Sequence, residues 1–255
     1  MTDPFDLKGK TALVIGAGEG GLGARAALAL GRRGARLVAA DLEARGDDLT
    51  ATGTSLAAEG IAVTTACCDV TDDSSVGALA AAVGEADVVV NAAGVMLRKP
   101  VTETSPDEWR RVIEVNLTGT WLVNRAFGGA MAARGHGKVI NFASVYADRV
   151  GPVPESAYYA SKAGVANLTR AMASEFGARG VQVNCLALGV FYPTVMTAPL
   201  GDAPDTLAWM TERTLLKRLG DPERDLDGPV VLLASAGSDY ITGQVIYVDG
   251  GWSAW

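Results

Sequence analysis

The sequence has 255 residues, of which 49% are hydrophobic and 20% are charged, and this fits one globular domain that needs no disulfide staples. Its 29 acidic and 22 basic residues give a net charge of −7, which argues against a nucleic acid as the partner. No stretch predicts a membrane span, and Met1–Lys10 lacks the apolar core of a secretory signal. Three sparse cysteines favour the reduced cytoplasm, and no spacing of Cys and His predicts a metal site.

Short β-rich segments alternate with alanine-rich helical segments along the whole chain. The strands are predicted at Thr11–Ile15, Arg36–Ala40, Ile61–Ala66, Asp87–Asn91, Lys138–Phe142, Val181–Leu186 and Gln244–Val248. Continuous apolar strands such as Ala86–Val90 are typical of a parallel sheet covered by helices on both faces. We therefore expect a single α/β domain over residues 1–255, with a doubly wound sheet of seven parallel strands and a ligand site at their carboxyl ends.

The first predicted strand runs directly into a glycine-rich turn, Gly16–Gly23, which is followed by a helix predicted at Leu22–Arg33. Glycines permit a tight turn and a close approach of the backbone to a pyrophosphate, and the start of the helix presents free N–H groups to the phosphates. With a strand before it and a helix after it, the turn predicts a Rossmann-type dinucleotide site. The residues assigned to this site are Gly16, Gly21, Leu22 and Gly23.

An acidic residue, Asp41, closes the second predicted strand. A carboxylate at this position accepts hydrogen bonds from the hydroxyls of the adenosine ribose and repels a 2′-phosphate. Glu19 adds a second negative charge inside the glycine turn. NADP would favour an arginine at one of these two positions, so the sequence predicts NAD as the cofactor.

Two further strand ends fit the same cofactor. Asp69 and Val70 follow the third predicted strand, where a carboxylate can bind the adenine amino group and a valine its ring face. Asn91, Ala92 and Gly94 follow the fourth strand, where small residues let the backbone pass the ribose. Because the carboxyl ends of parallel strands meet at one edge of a sheet, we assign all five residues to the cofactor.

Tyr158 and Lys162 are four residues apart on a predicted helix, so their side chains project from one face. A tyrosine normally keeps its proton up to a pH of about 10. A neighbouring ammonium and a positive nicotinamide ring both favour the phenolate and are expected to lower this pKa. Ser144, after the fifth strand, can hydrogen-bond a substrate oxygen. The single histidine, His136, lies in a glycine-rich loop, which excludes Ser-His-Asp hydrolysis.

From end to end the chain resembles a classical short-chain dehydrogenase/reductase. The resemblance rests on the glycine turn, Asn91–Gly94, Asn116 within Val115–Gly119, Ser144, Tyr158 with Lys162, Asn184, and the segments Ile241–Gln244 and Val248–Gly251. It implies that Tyr158 is the general acid/base and that Ser144 orients the substrate oxygen. It further implies that Lys162 binds the nicotinamide ribose and lowers the pKa of Tyr158, which also contacts the cofactor, while Asn116 holds a water.

The sequence departs from the family pattern at three places. Ile15 replaces the threonine before the glycine turn, which has one additional residue, and Ala92 replaces the second asparagine of the usual Asn-Asn-Ala-Gly. Leu188–Gly189 replaces the usual Pro-Gly after the sixth strand. The threonine that contacts the carboxamide in the family is matched by Thr194 after a shift of one residue. Gly189, Val190 and Thr194 are therefore assigned to the cofactor.

Within the family, the chain resembles gluconate 5-dehydrogenases and related sugar-acid and polyol dehydrogenases, in Arg98–Pro100 and in the ending Ile246–Trp252. Arg98 and Arg149 follow strand ends and are candidates to bind a substrate carboxylate. The irregular stretch from Leu188 to Thr211 is predicted to be a lid. Its residues Phe191 and Tyr192 are further substrate candidates, and its apolar side chains suit an apolar or cyclic ketone equally well.

The predicted reaction is hydride transfer between NAD and a small secondary alcohol or ketone. One alternative is a 3-oxoacyl thioester reductase, against which the acidic charge and Asp41 argue. The other is a non-catalytic dinucleotide sensor, which would be expected to lack part of the catalytic set. All four catalytic positions are present here.

The resemblance also implies a homotetramer or homodimer, paired through the helices around Asp107–Arg134 and Ser156–Arg179. The second of these helices is rich in small residues that permit a close helix contact: Ala157, Ala160, Ala163, Gly164, Ala166, Ala171 and Ala173. Trp252 and Trp255 end the chain, where a free tail would normally be polar. We predict that they pack against a neighbouring subunit.

Overall fold

The computed structural model describes residues 3–254, and their strands form one parallel sheet. The strands are β1 (Thr11–Ile15), β2 (Arg36–Asp41), β3 (Val63–Cys67), β4 (Val88–Asn91), β5 (Gly137–Phe142), β6 (Val181–Leu188) and β7 (Val245–Val248). Their order in the sheet is β3-β2-β1-β4-β5-β6-β7, and every neighbouring pair is parallel. The predicted doubly wound sheet of seven strands is confirmed.

Helices connect the strands. They are α1 (Leu22–Arg32), α2 (Gly46–Ala58), α3 (Asp73–Val83), α4 (Pro106–Ile113), α5 (Gly119–Val123), α6 (Gly129–Arg134), α7 (Ser156–Phe176), α8 (Pro204–Arg213) and α9 (Asp227–Ala234). Two π-helical segments, Glu114–Thr118 and Asn124–Gly128, join α4, α5 and α6 end to end. In the described part of the chain, no helix has both the length and the apolarity that crossing a bilayer requires.

Two apolar cores lie on opposite faces of the sheet, because successive residues of a strand point to opposite sides. In β1, Val14 packs with the core under α1, α2 and α9, whereas Leu13 packs with the core under α3, the α4–α6 helix and α7. Each fully buried side chain of this size stabilises the fold by about 1.5–3 kcal/mol. Burial on both faces explains why these strands are apolar without alternation.

Element ends differ from the sequence prediction by one to three residues. β3 begins at Val63 rather than Ile61, because the Ile61 N–H closes the last turn of α2 by bonding to Leu56 O. β6 continues to Leu188, which pairs with Val248 of β7. The prediction of an irregular stretch from Leu188 to Thr211 is wrong in part, since this stretch contains a 3₁₀ segment, Ala198–Asp202, and most of α8. A proline in the first turn of each segment favours this local helix.

The C-terminal tail folds back onto its own chain. Trp252 is 1% exposed, and its ring meets those of Trp209 at 5.5 Å and Tyr146 at 6.1 Å, both edge to face. The prediction of an intersubunit contact is therefore wrong for Trp252. Gly250 and Gly251 both adopt positive φ, which favours glycine, and they turn the chain inward after β7. Trp255 lies outside the described residues.

Candidate active site

A cavity of about 480 Å³ opens at the edge where the strands of the sheet end. One end of it is lined by the glycine turn and Asp41, and the other end by Ser144, Tyr158 and Lys162. The segment after β6 covers it and contributes apolar side chains. The structure thus places around one cavity all the residues predicted for the cofactor except Asn91, and all those predicted for catalysis except Asn116, which is buried behind the cavity wall.

The backbone of the glycine turn packs too closely against itself and the end of β4 to accommodate side chains at Gly16 and Gly23. Gly16 has a φ of +80°, and a Cβ there would lie 2.6 Å from the backbone N of Ala93. A Cβ on Gly23 would lie 2.0 Å from Gly16 O. α1 begins directly behind the turn, and its N-cap residue Gly21 offers no side chain to the free N–H groups. These features fit a dinucleotide pyrophosphate, which Gly16, Gly21, Leu22 and Gly23 would hold.

At the adenosine end, Asp41 is buried and its carboxylate is held by the backbone. Oδ2 accepts a hydrogen bond from Gly18 N at 2.7 Å, and Oδ1 accepts one from Leu42 N at 2.8 Å. Beside it lies Arg45, which was not predicted. Arg45 pairs with Asp48 at 2.9 Å and lines the cavity together with Asp41. The only signal in the sequence was its position in the turn between β2 and α2.

The other residues predicted for the cofactor line the same cavity, with one exception. Those that line it are Asp69, Val70, Ala92, Gly94, Gly189, Val190 and Thr194. Hydrogen bonds from the Thr71 hydroxyl and N–H lower the pKa of Asp69, so this carboxylate is readily ionised. The exception is Asn91, whose side chain donates to Thr120 Oγ1 at 3.0 Å and accepts from Ala93 N at 3.3 Å. Asn91 shapes the strand end from inside the core instead of lining the cavity.

At the opposite end, α7 and the end of β5 bring three side chains together. Tyr158 and Lys162 lie one turn apart on α7, with Lys162 Nζ 5.5 Å from the centroid of the Tyr158 ring. Lys162 Nζ donates to Phe142 O at 2.8 Å, which fixes it at the end of β5. Ser144 accepts a hydrogen bond from Tyr146 N and caps a short 3₁₀ turn. All three side chains are buried in the cavity wall.

Burial is the main cause of the pKa shifts of Tyr158 and Lys162. Desolvation raises the pKa of Tyr158, the nearby Glu155 carboxylate adds to the rise, and the Ser144 hydroxyl opposes it. Desolvation also lowers the pKa of Lys162 to about 8. Without the cofactor, the loss of solvent outweighs the other contributions around the phenol, so the pKa of Tyr158 lies above its ordinary value.

Asn116 connects the catalytic helix to the loop after β4. It lies in the π-helical segment Glu114–Thr118, a kind of helical irregularity that often marks functional positions. Its Oδ1 accepts from Val95 N at 2.8 Å, and its Nδ2 donates to Val95 O and to Ser161 Oγ, both at 2.9 Å. A Cβ on Gly94 would lie 3.4 Å from Asn116 Oδ1 and 3.5 Å from Lys162 Nζ. Asn116 and Lys162 therefore face each other across Gly94.

The four substrate candidates separate into two pairs. Arg98 and Phe191 line the cavity, whereas Arg149 and Tyr192 do not. Arg149 lies exposed on the loop after β5, and its guanidinium donates to Asp148 O and Ser253 O. These N–H groups therefore bond to the main chain and not to a group in the cavity.

Glu155, which was not predicted, also lines the cavity and bonds to Arg98 Nε at 3.0 Å. It stands three residues before Tyr158, and its acidic side chain at the start of a helix gave no signal of this role in the sequence.

The segment after β6 is fastened to the glycine turn. Val195 N donates to Gly20 O at 3.0 Å, and Thr197 Oγ1 donates to Phe191 O at 2.7 Å. Its apolar lining comes from Val195, Met196, Leu200 and Met210, and its threonines Thr194 and Thr197 also line the cavity. The segment therefore contacts the glycine turn at one end of the cavity and, through Met196 O, Arg98 at the other.

Comparison with known proteins places these features in context. The family model described as enoyl-(acyl carrier protein) reductase matches residues 16–253. The chain is 38% identical over 257 residues to galactitol 2-dehydrogenase (L-tagatose-forming) of Cereibacter sphaeroides, with 98% of each chain covered. It is also 38% identical over 255 residues to 5-keto-D-gluconate 5-reductase of Escherichia coli strain K12, with 98% of each chain covered.

Solved structures extend this similarity to three dimensions. A gluconate 5-dehydrogenase from Burkholderia cenocepacia J2315, crystallised in complex with NADP and tartrate, superposes with a TM-score of 0.92 at 35% identity. The match covers 99% of this chain and 98% of that chain. The similarity therefore includes the sheet, the glycine turn and the segment over the cavity.

Proposed function

The chain belongs to the short-chain dehydrogenase/reductase family, NAD(P)-dependent oxidoreductases that act on CH–OH groups, and we propose that it interconverts a polyol or sugar acid with the corresponding ketone. One observation carries this proposal. Ser144, Tyr158 and Lys162 line one end of a cavity whose other end is the glycine turn, and the polar pair Arg98 and Glu155 lines the same cavity.

In this proposal the nicotinamide dinucleotide, when bound, supplies the hydride acceptor or donor. Tyr158 Oη takes the proton of the substrate hydroxyl during oxidation and returns it during reduction. Ser144 Oγ orients the substrate oxygen toward Tyr158. The Lys162 ammonium, held by Phe142 O, stabilises the phenolate that oxidation requires. Asn116 keeps the loop after β4 against α7, so that Gly94 remains beside Lys162.

We further propose that the enzyme prefers NAD to NADP. The Asp41 carboxylate lines the adenosine end of the cavity and would repel a 2′-phosphate. Arg45 lies beside it and would attract that phosphate, but its charge is offset by Asp48. The Burkholderia cenocepacia relative was crystallised with NADP, so this preference needs a direct measurement. Initial rates with NAD and with NADP at subsaturating concentration give the kcat/KM for each cofactor, and equal values would refute the preference for NAD.

The substrate class is inferred from the cavity and from the relatives, which act on galactitol and 5-keto-D-gluconate by their names. A second candidate, a cyclic or apolar ketone, is favoured by the apolar lid residues Met196, Leu200 and Met210. A spectrophotometric screen of NAD reduction with galactitol, D-gluconate, cyclohexanol and related alcohols separates the two. We expect polyols or sugar acids to give the highest kcat/KM. Turnover of cyclohexanol alone would support the second candidate.

The assembly proposed is a homotetramer or homodimer of cytoplasmic single-domain subunits. Of the small residues on α7, Ala160, Ala163 and Ala171 are exposed and leave one face of the helix open to a partner. The others are buried in their own chain or packed partly against it: Ala157, Gly164, Ala166 and Ala173. Three free cysteines and the continuous sheet support the location and the single domain. Light scattering on the full chain tests the assembly, and a monomer would refute it.

A further inference from the structure

Glu155 is a carboxylate placed inside the cavity wall without an obvious task. It is 3% exposed and stands at the N-cap position of α7, yet its side chain caps none of the helix N–H groups. Its Oε1 accepts a hydrogen bond from Arg98 Nε at 3.0 Å. Within residues 3–254, no described hydrogen bond reaches Oε2. Oε2 is not one of the fully buried side-chain atoms that lack a partner among the described residues, and Glu155 lines the cavity, so this oxygen is placed to accept a hydrogen bond from a substrate.

Arg98 presents complementary donors from the facing loop. Nε is used by Glu155, and Nη2 donates to Met196 O in the lid at 3.2 Å. A guanidinium has five N–H donors, so Arg98, which lines the cavity, has more donors than these two hydrogen bonds use. The position of the pair is fixed by the main chain, because Lys99 N bonds to Pro154 O at 2.9 Å immediately beside it. The donor and the acceptor therefore stand side by side on a rigid support.

The pair lies within electrostatic reach of the reacting group. The Glu155 carboxylate contributes to the raised pKa of Tyr158, and Arg98 acts on the same pKa in the opposite direction. Glu155 is also only three residues from Tyr158, across the first turn of α7. Arg98, Glu155 and Tyr158 line the same cavity, so a substrate held at Tyr158 can present a second polar group to the pair.

We propose that Glu155 is a specificity-determining residue which, together with Arg98, recognises a second hydroxyl on the carbon next to the reacting carbon. Glu155 Oε2 accepts the proton of that hydroxyl, and Arg98 donates to its oxygen. This inference rests on the proposed function and deepens it, because it defines the substrate class as vicinal diols and their α-hydroxyketones. A hydroxyl is both donor and acceptor, and the pair offers one partner for each.

The charge of the pair explains why one site suits both polyols and sugar acids. The guanidinium is balanced by the carboxylate, so the site carries no net charge that would demand an anionic substrate. A simple ketone or alcohol leaves Oε2 without a partner, and a site built to bond a hydroxyl rejects analogues that lack it. Arg98 alone would instead favour carboxylates over neutral polyols.

Two matched pairs of alcohols test the inference: 2,3-butanediol with 2-butanol, and 1,2-cyclohexanediol with cyclohexanol. For the unmodified enzyme we expect kcat/KM to favour each diol by on the order of 100-fold. In Glu155→Leu this preference should fall to less than about tenfold, because the diol loses the partner of its second hydroxyl, which a mono-alcohol does not have. Glu155→Asp should restore part of the preference, because it returns the carboxylate with a shorter reach. Glu103→Gln, an exposed glutamate on the same loop as Arg98, is the matched control.

The outcomes separate the inference from the proposed function. If the unmodified enzyme turns over polyols but shows no diol preference in the matched pairs, or if Glu155→Leu keeps that preference, the inference is overturned and the function stands. An equal loss with all four alcohols in Glu155→Leu would also overturn it, since a merely structural role predicts that pattern. If the unmodified enzyme acts on no polyol or sugar acid, the proposed function fails first. Should Glu155→Leu not fold, two other measurements decide. A diol preference in Glu155→Asp below that of the unmodified enzyme, and stronger inhibition of the unmodified enzyme by 2-hydroxycyclohexanone than by cyclohexanone, would support the inference. The opposite results would overturn it.

Discussion

The two ends of the cavity are built in different ways. The part of the cofactor end that would hold the phosphates is made of backbone, in one continuous turn from Gly16 to Gly23, where a Cβ on Gly16 or Gly23 would clash with neighbouring backbone atoms. The substrate end is made of side chains from distant segments. Arg98 bonds to Glu155, 57 residues further along the chain, and to the lid at Met196, 98 residues further along. A local motif therefore defines the cofactor end, whereas loop packing defines the substrate end, so the two can be altered separately.

The largest expected effect belongs to the substrate end. Tyr158→Phe removes the proton-transferring hydroxyl and keeps the ring, so kcat should fall by about 10³-fold or more. Affinity for NADH, measured by fluorescence titration, should change little. Tyr159→Phe is the matched control. It loses two hydrogen bonds of the phenol, one donated to Val153 O at 2.5 Å and one accepted from Gly151 N at 3.3 Å, and should keep most of the activity. If Tyr159→Phe were the inactive variant, the catalytic assignment would be wrong.

Trp252→Ala probes how the tail supports the substrate end. The indole is buried against Tyr146 and Trp209, so its removal leaves a cavity and should lower the free energy of unfolding by about 3 kcal/mol. KM for the alcohol should rise, whereas the Kd for NADH should not. Thermal unfolding measures the loss of stability, and steady-state kinetics measure the change in KM. Tyr240→Ala, which removes a fully exposed ring, is the control, and an equal loss there would contradict this account.

Gly23→Ala probes the cofactor end. Its Cβ would lie 2.0 Å from Gly16 O, so the turn must shift, at a cost of about 1–3 kcal/mol. We expect the affinity for NADH to fall by at least about tenfold, while the circular dichroism spectrum is retained. Gly77→Ala is the control on α3, where an added Cβ meets no atom within 4 Å. It should raise helix stability slightly. Unchanged NADH binding in Gly23→Ala would show that the glycine turn does not hold the pyrophosphate.

These differences also mark what the sequence could predict. The glycine turn and the spacing of Tyr158 and Lys162 are local, so pattern alone predicted that they would meet at the ends of the strands. Arg45 and Glu155 were missed because their roles depend on how a turn or a helix start faces a neighbouring loop. The packing of Trp252 against its own chain was missed because it depends on Gly250 and Gly251, which adopt positive φ after β7. Burial raises the pKa of Tyr158, an effect that the local sequence does not show because desolvation depends on the whole fold.

The smallest expected effect concerns the choice between NAD and NADP. Asp41→Ala removes the carboxylate that would repel a 2′-phosphate, so the ratio of kcat/KM for NADP over NAD should rise by about tenfold. Asp41 also accepts the N–H of Gly18, so some affinity for both cofactors should be lost. Arg45→Ala should lower activity with NADP more than activity with NAD. Glu19→Gln, which removes the other negative charge near the glycine turn, is the control variant for the same ratio of kcat/KM. A ratio unchanged by Asp41→Ala would place the determinant elsewhere.

The central claim is that hydride moves between a secondary carbinol carbon and nicotinamide in this cavity. It is tested most directly with a polyol or sugar acid deuterated at its secondary carbinol carbons, incubated with the enzyme and NAD. Mass spectrometry of the reduced cofactor then shows where the label goes. We predict NADH that carries one deuterium, and unlabelled NADH with the undeuterated substrate. Failure to form NADH from any of these substrates, or NADH without deuterium, would contradict the claim.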